Sequence, residues 1–252
     1  GGYTIKFPVT MTANKNFSVS TVSPNDALDF WSSNAQISTT GTGSISLSAK
    51  RNITVNTGTS LTTVNGGISL QSNLLDQGIG NFNGLFVQGL IRTTGSGAIT
   101  LEGHGGNDAS ASNQRGVVID IGGVVESTSF SGGGSITLEG TGGSGQSGNA
   151  GVELPGTFYA GGGTVKSWTG DIRLTGYGRG SGDRNMGVSV YGRGSTVIAN
   201  SSAKIEIEGY GAGWDPAHST LNDAGQENHG VSIVASTRVS SSGGTVTIRG
   251  YG

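Results

Sequence analysis

Cysteine is absent from the 252 residues, which excludes disulfide bridges and thiolate metal sites and suits a chain that is exported unfolded. Aromatic residues make up 6% and apolar residues 33% of the chain. That is too little to fill a wide globular core. Charge is equally scarce, with 12% charged residues and a net charge of −2. No basic cluster stands out, which argues against general nucleic-acid binding. No apolar run reaches the roughly 18 residues of a membrane-spanning helix. No export leader is visible at Gly1, so any such segment is expected to have been removed or to lie outside this sequence.

What the chain has in excess is glycine, 49 residues, far above the usual share of about 7%. The apolar residues are patterned, and Val, Ile and Thr abound, so disorder does not fit. One short pattern recurs seven times: SISLS from Ser44, GISLQ from Gly67, AITLE from Ala98, SITLE from Ser135, DIRLT from Asp171, KIEIE from Lys204 and TVTIR from Thr245. Its second position forms an apolar column: Ile45, Ile68, Ile99, Ile136, Ile172, Ile205 and Val246. Its fourth forms another: Leu47, Leu70, Leu101, Leu138, Leu174, Ile207 and Ile248. Polar residues stand between them, which is the period-two signature of a half-buried strand.

A second apolar pair follows each copy: Ile53/Val55, Leu85/Val87, Val117/Ile119, Val152/Leu154, Val188/Val190 and Val231/Ile233. Most of the growth in repeat length falls between these two strands, and insertions are tolerated in surface loops. A third, weaker strand is expected near Val124–Ser127, 197–199 and 238–240. The same pairs return in the same order, with no regular two-residue hairpin turn between strands. The fold class predicted is therefore all-β, a right-handed single-stranded parallel β-helix (β-solenoid) of about seven coils, with the long loops at one corner. The last copy ends at Tyr251-Gly252 and reads as the first strand of an unfinished coil, an exposed edge.

The N-terminal stretch reads differently. Tyr3, Ile5, Phe7, Val9 and Met11 alternate with polar residues, and Pro8 marks an edge position. Residues 1–24 are expected to form an amphipathic strand segment, acting either as a cap or as a donor strand on a neighbouring subunit. Residues 25–252 form the repeat domain.

The strings GAITLEGHGG from Gly97 and GSITLEGTGG from Gly134, with the Asn-x-Gly-Val openings at 149–152, 185–188 and 228–231, resemble bacterial secreted β-solenoid repeat proteins of the filamentous-haemagglutinin and autotransporter-adhesin kind. That resemblance covers roughly residues 43–252 and implies a surface fibre, adhesin or secreted passenger domain.

Several residues are candidates for function. Three places beyond the second apolar column stand His104, Thr141, Tyr177, Tyr210 and Tyr251. The tyrosines are expected to stack as an aromatic ladder, either stiffening the solenoid or offering a sugar platform that Trp214 could join. Gln114, Asn149, Asn185 and Asn228 share a position and read as an amide ladder. Glu102 and Glu139 share an outward column, at the separation of a retaining glycosidase's carboxylates, yet any in-register column has that spacing. Glu208 with Arg249, and Arg173 with Glu206, are expected to pair across neighbouring strands. Asp108, Asp183, Asp215 and Asp223 are loop acids with the chemistry for Ca²⁺, although no calcium-loop motif accompanies them. His104, His218 and His229 lack metal-ligand spacing.

The expectation is an extracellular or cell-surface structural or adhesive protein that self-associates and uses no cofactor, rather than an enzyme. The alternatives are a glycan-binding module or a polysaccharide-active β-helix enzyme.

Overall fold

The computed structural model describes residues 2–31, 33–157, 161–215, 220–221 and 226–252. Three sheets of eight parallel strands make up a β-solenoid, and each coil contributes one strand to each sheet. The first sheet holds Gly2–Ile5, Ala27–Phe30, Ile53–Val55, Leu85–Val87, Val117–Ile119, Val152–Leu154, Val188–Tyr191 and Val231–Val234. The second holds Val9–Thr10, Gln36–Ser38, Ser60–Thr63, Leu90–Thr93, Val124–Ser127, Thr164–Ser167, Thr196–Ala199 and Arg238–Ser241. The third carries the Ile-x-Leu pattern: Phe17–Ser20, Ile45–Ala49, Ile68–Ser72, Ile99–His104, Ile136–Thr141, Ile172–Tyr177, Ile205–Tyr210 and Val246–Tyr251. Among the described residues no helix is long and apolar enough to cross a membrane.

The core is a slender column, because each coil supplies only a few inward side chains. In the fourth coil these are Leu85, Val87, Ile91, Ile99 and Leu101, all fully buried. The same positions are filled coil after coil, so one apolar residue rests on its equivalent in the next coil. This is how a low apolar content sustains a continuous interior: length is added without width. Parallel register holds through the motif, with Ile99 opposite Ile136 and Leu101 opposite Leu138.

The structure contains eight coils where seven motif copies predict about seven. The additional one is the N-terminal segment. Phe17 and Val19 pair with Ile45 and Leu47, so FSV occupies the Ile-x-Leu position in a form the motif does not reveal. The stretch from Tyr3 to Met11 is also not one strand. It breaks over Lys6–Pro8 into Gly2–Ile5 and Val9–Thr10, which lie in different sheets against Ala27–Phe30 and Ile37–Ser38. Residues 1–24 thus supply one strand to each sheet. Tyr3, Ile5 and Val9 lie over inward columns, opposite Leu28, Phe30 and Ile37, while Phe7 projects and is exposed. Counted from Gly2, the strand Val246–Tyr251 is the third strand of the eighth coil, not the first of a further one.

The long loops run from the third sheet to the first sheet of the following coil, over 73–84, 105–116, 142–151, 178–187 and 211–230. Most of the growth of the repeat falls at this corner. A second corner also carries an excursion, the small antiparallel pair Gly156–Thr157 and Gly161–Gly162. Glycine is concentrated where backbones meet. A Cβ on Gly176 would lie 2.0 Å from the carbonyl oxygen of Gly187. The end of a third-sheet strand and the start of the next first-sheet strand touch there without room for a side chain.

Candidate functional site

The third sheet ends in a short outward column, and parallel register sets its members one above another: His104, Thr141, Tyr177, Tyr210 and Tyr251. The three tyrosines stack face to face. Ring centroids are 5.0 Å apart for Tyr177 and Tyr210, at 6°, and 4.9 Å apart for Tyr210 and Tyr251, at 9°. Each such contact contributes about 1 kcal/mol beyond area burial. A stack of this kind hides ring faces inside itself. Tyr210 offers only its edge to a ligand, whereas Tyr177 turns one face toward Thr141 and is the most exposed of the three at 37%.

Acids surround the ladder. Tyr210 donates its hydroxyl to Glu208 at 2.7 Å. That bond, then burial and the carboxylate's charge, push its pKa up to about 12. Tyr177 is also raised, chiefly by burial and then by the charges of Glu139 and Glu208. Beside the ladder lies a cavity of ≈ 530 Å³ bounded by Glu139, Thr141, Tyr177, Arg179, Tyr210 and glycine backbone. Arg179 on its border is held by Asp76, which lies in the loop three coils back. Its Oδ1 meets His104 Nδ1 at 2.9 Å, and its Oδ2 accepts from Arg179 Nη1 at 3.1 Å.

The other candidates are dispersed. Trp214 lies in the two-residue strand Trp214–Asp215, which pairs with Thr220–Leu221 inside the longest loop. Asp223 and His218 lie outside the described residues. Asp108 accepts from the Ser110 backbone N–H at 3.0 Å and hydroxyl at 2.7 Å. These bonds hold its carboxyl below the usual range. Asp183 accepts from the Gln226 backbone N–H at 2.7 Å. Asp108 thus bonds within its own loop and Asp183 ties its loop to that of the next coil, and among the described residues no group of three or more His, Asp or Glu is placed to hold a metal ion. The two charge pairs expected on the third sheet form diagonally instead of straight across. Arg249 reaches Glu206 at 2.8 Å, and Arg173 reaches Glu208 at 3.7 Å.

The amide column bonds along its length. Gln114 N–H donates to Asn149 Oδ1 at 2.9 Å, and Asn185 N–H donates to Asn228 Oδ1 at 2.8 Å.

One cluster escapes sequence reasoning. On the outer face of the first sheet, Arg115 Nε donates to Glu153 Oε2 at 2.6 Å, and Tyr191 donates to Glu153 Oε1 at 3.1 Å. Glu153 is 6% exposed. Burial, followed by the Glu153 charge, pushes Tyr191 up to about 12. The cluster borders a second cavity of ≈ 640 Å³ that also touches Met186, Ser189, His229 and Ser232. The available signal was a glutamate in the strand VEL, at the position held by Val118 and Ser189 in the adjoining coils.

No protein-family model, no curated protein and no solved structure matches the chain.

Proposed function

We propose that the chain is a length of an extracellular structural or adhesive solenoid, not an enzyme, and that it associates along its own axis by head-to-tail stacking. The observation that carries this reading is the register. The same inward columns and hydrogen-bonded rungs run through eight coils, and the outermost coils repeat the pattern of those between them. At one end Tyr3 retains 53% exposure; at the other Val246 and Ile248 retain 41% and 47%. Parallel strands stacked in register offer a matching set of backbone donors and acceptors to whatever continues the axis, another copy or further coils. A cysteine-free chain with alternating strands and glycine corners also suits export in an unfolded state. The adhesive half of the reading draws on the outward ladders and their two flanking cavities.

Electron microscopy and sedimentation velocity of the purified chain over a wide concentration range test the assembly. Axial fibres, or a concentration-dependent shift to larger species that Ile248→Lys suppresses, are expected. Monomers at every concentration would remove the head-to-tail reading.

A further inference from the structure

The aromatic column has a gap one ring wide. His104, Thr141 and Tyr177 are successive members of it, so the imidazole and the phenol lie two inter-strand steps apart, about 10 Å. Within the ladder, rings follow one another at 5.0 and 4.9 Å. Thr141 is therefore the single rung between His104 and Tyr251 that carries no ring, and the open face of Tyr177 looks across it. The threonine is only 6% exposed. Arg179, which follows the third strand of the sixth coil, reaches back past the fifth and fourth coils to Asp76, which in turn holds His104. This clasp is half in solvent, with side-chain exposures of 50% for Arg179 and 48% for Asp76. Ion pairs of that exposure contribute little net stability, so the clasp yields to a ligand at little cost.

We infer that the Thr141 gap is a binding site for one pyranose ring of a neutral glycan, stacked on the free face of Tyr177. A pyranose has a C–H face suited to an aromatic ring and hydroxyls at its rim. Here the rim holds Glu139 and Arg179, and Arg179 carries Asp76 as its bonded partner. Carboxylates accept from sugar hydroxyls, and the guanidinium donates to them. A flat aromatic ligand would fill the space but leave those charged groups against an apolar edge, unpaired. Two carboxylates against one guanidinium also disfavour an acidic sugar. The site gives the adhesive half of the proposed function a ligand and rests on that reading for its setting outside the cell.

Thr141→Tyr tests it directly. The new ring occupies the gap and extends the ladder from three tyrosines to four. The probes are the methyl glycosides of glucose, galactose, mannose and N-acetylglucosamine, with the glucuronic acid methyl glycoside for comparison. Binding to the dispersed monomer is followed by saturation-transfer NMR and calorimetry. At least one neutral glycoside is expected to bind, with a Kd of about 1 mM for a single ring. Thr141→Tyr should weaken it at least tenfold with an unchanged or higher Tm, and Tyr177→Leu, which keeps apolar bulk but loses the ring face, should do the same. Equal binding by both variants, no binding of any neutral glycoside, or preference for the glucuronide overturns the inference. A chain that forms fibres yet ignores every neutral glycoside overturns it alone, and a monomer that binds leaves it standing while removing the head-to-tail assembly.

Discussion

Asn185 accepts two hydrogen bonds from Asn149 of the preceding coil on one amide oxygen, from the backbone N–H at 2.9 Å and from the side-chain amide at 3.0 Å. Its own amide donates to the carbonyls of Gln146 at 2.9 Å and Gly182 at 2.6 Å. The residue is fully buried. It thus satisfies backbone groups of two loops that leave the regular ladder at the expanding corner. Buried polar groups that lose their partner cost about 1–3 kcal/mol each.

Asn185→Ala is therefore expected to destabilise the chain by about 3 kcal/mol. Asn185→Asp should be nearly as harmful, because a carboxylate keeps the acceptor but faces the Gln146 and Gly182 carbonyls. Urea denaturation of both variants checks this. A loss below about 1 kcal/mol for alanine would show that the column decorates the corner without holding it.

The corner glycines make a second prediction. A Cβ on Gly176 would sit 2.0 Å from the Gly187 oxygen and 2.6 Å from its carbonyl carbon. Both are backbone atoms, so no side chain can swing away. Gly176→Ala should cost about 3 kcal/mol or more. Gly67 is the control, since a Cβ there meets only the Ala98 oxygen at 3.2 Å, and Ala98, Ser135 and Asp171 occupy its position in later coils. Gly67→Ala should be neutral or slightly stabilising through the unfolded chain. Equal effects from the two variants would contradict the close-approach argument.

These two sets of residues also show how far the sequence carries. The inward columns and the asparagine ladder are legible because stacking forces equivalent positions to do the same job in each coil. The first coil is hidden because Phe17 and Val19 replace the Ile-x-Leu pair, and because Pro8 sits within an alternation that resembles one strand. The tyrosine column is visible by counting along the motif, and register then makes it a stack. What counting cannot supply is contact between residues whose separation depends on loop length. Asp76 and Arg179 meet across three coils, and Arg115, Glu153 and Tyr191 come from three different coils. Side-chain reach decides the charges too, which is why Arg249 takes Glu206 diagonally and not Glu208 straight across.

A third prediction concerns buried hydroxyls. Thr63, Thr93, Ser127, Ser167, Ala199 and Ser241 form one inward column of the second sheet. Thr63 donates to the Gly66 carbonyl at 2.6 Å and Ser241 to the Ala203 carbonyl at 2.7 Å. The hydroxyls of Thr93, Ser127 and Ser167 are buried with no protein partner. Ala199 already fills the same position without a hydroxyl. Ser127→Ala and Ser167→Ala should be neutral or stabilising by up to about 1 kcal/mol, whereas Ser241→Ala should be destabilising. Thermal and urea unfolding of the three variants would expose the opposite order if the unpartnered oxygens contribute to stability.

The last prediction is a loss of stability at alkaline pH. Tyr210 is raised to about 12 by its bond to Glu208, burial and the carboxylate's charge. Tyr191 is raised to about 12 by burial and the nearby Glu153. The ordinary tyrosine value, which the unfolded chain keeps, is about 10. Between these values the folded chain retains phenolic protons that the unfolded chain has released. Linkage then makes stability fall as pH rises. The contribution is fully present below pH 10 and is lost as the pH climbs through about 12. Tyr210→Phe removes one of the two groups, so the unfolding midpoint should fall less steeply with pH over this window than in the parent chain. Tyrosinate absorbance on the folded protein offers a direct count, since at least two of the six tyrosines should ionise late and only with loss of structure. Ionisation of every tyrosine in one step near pH 10, with the circular dichroism of the strands unchanged, would mean that neither carboxylate holds its phenol as the geometry requires.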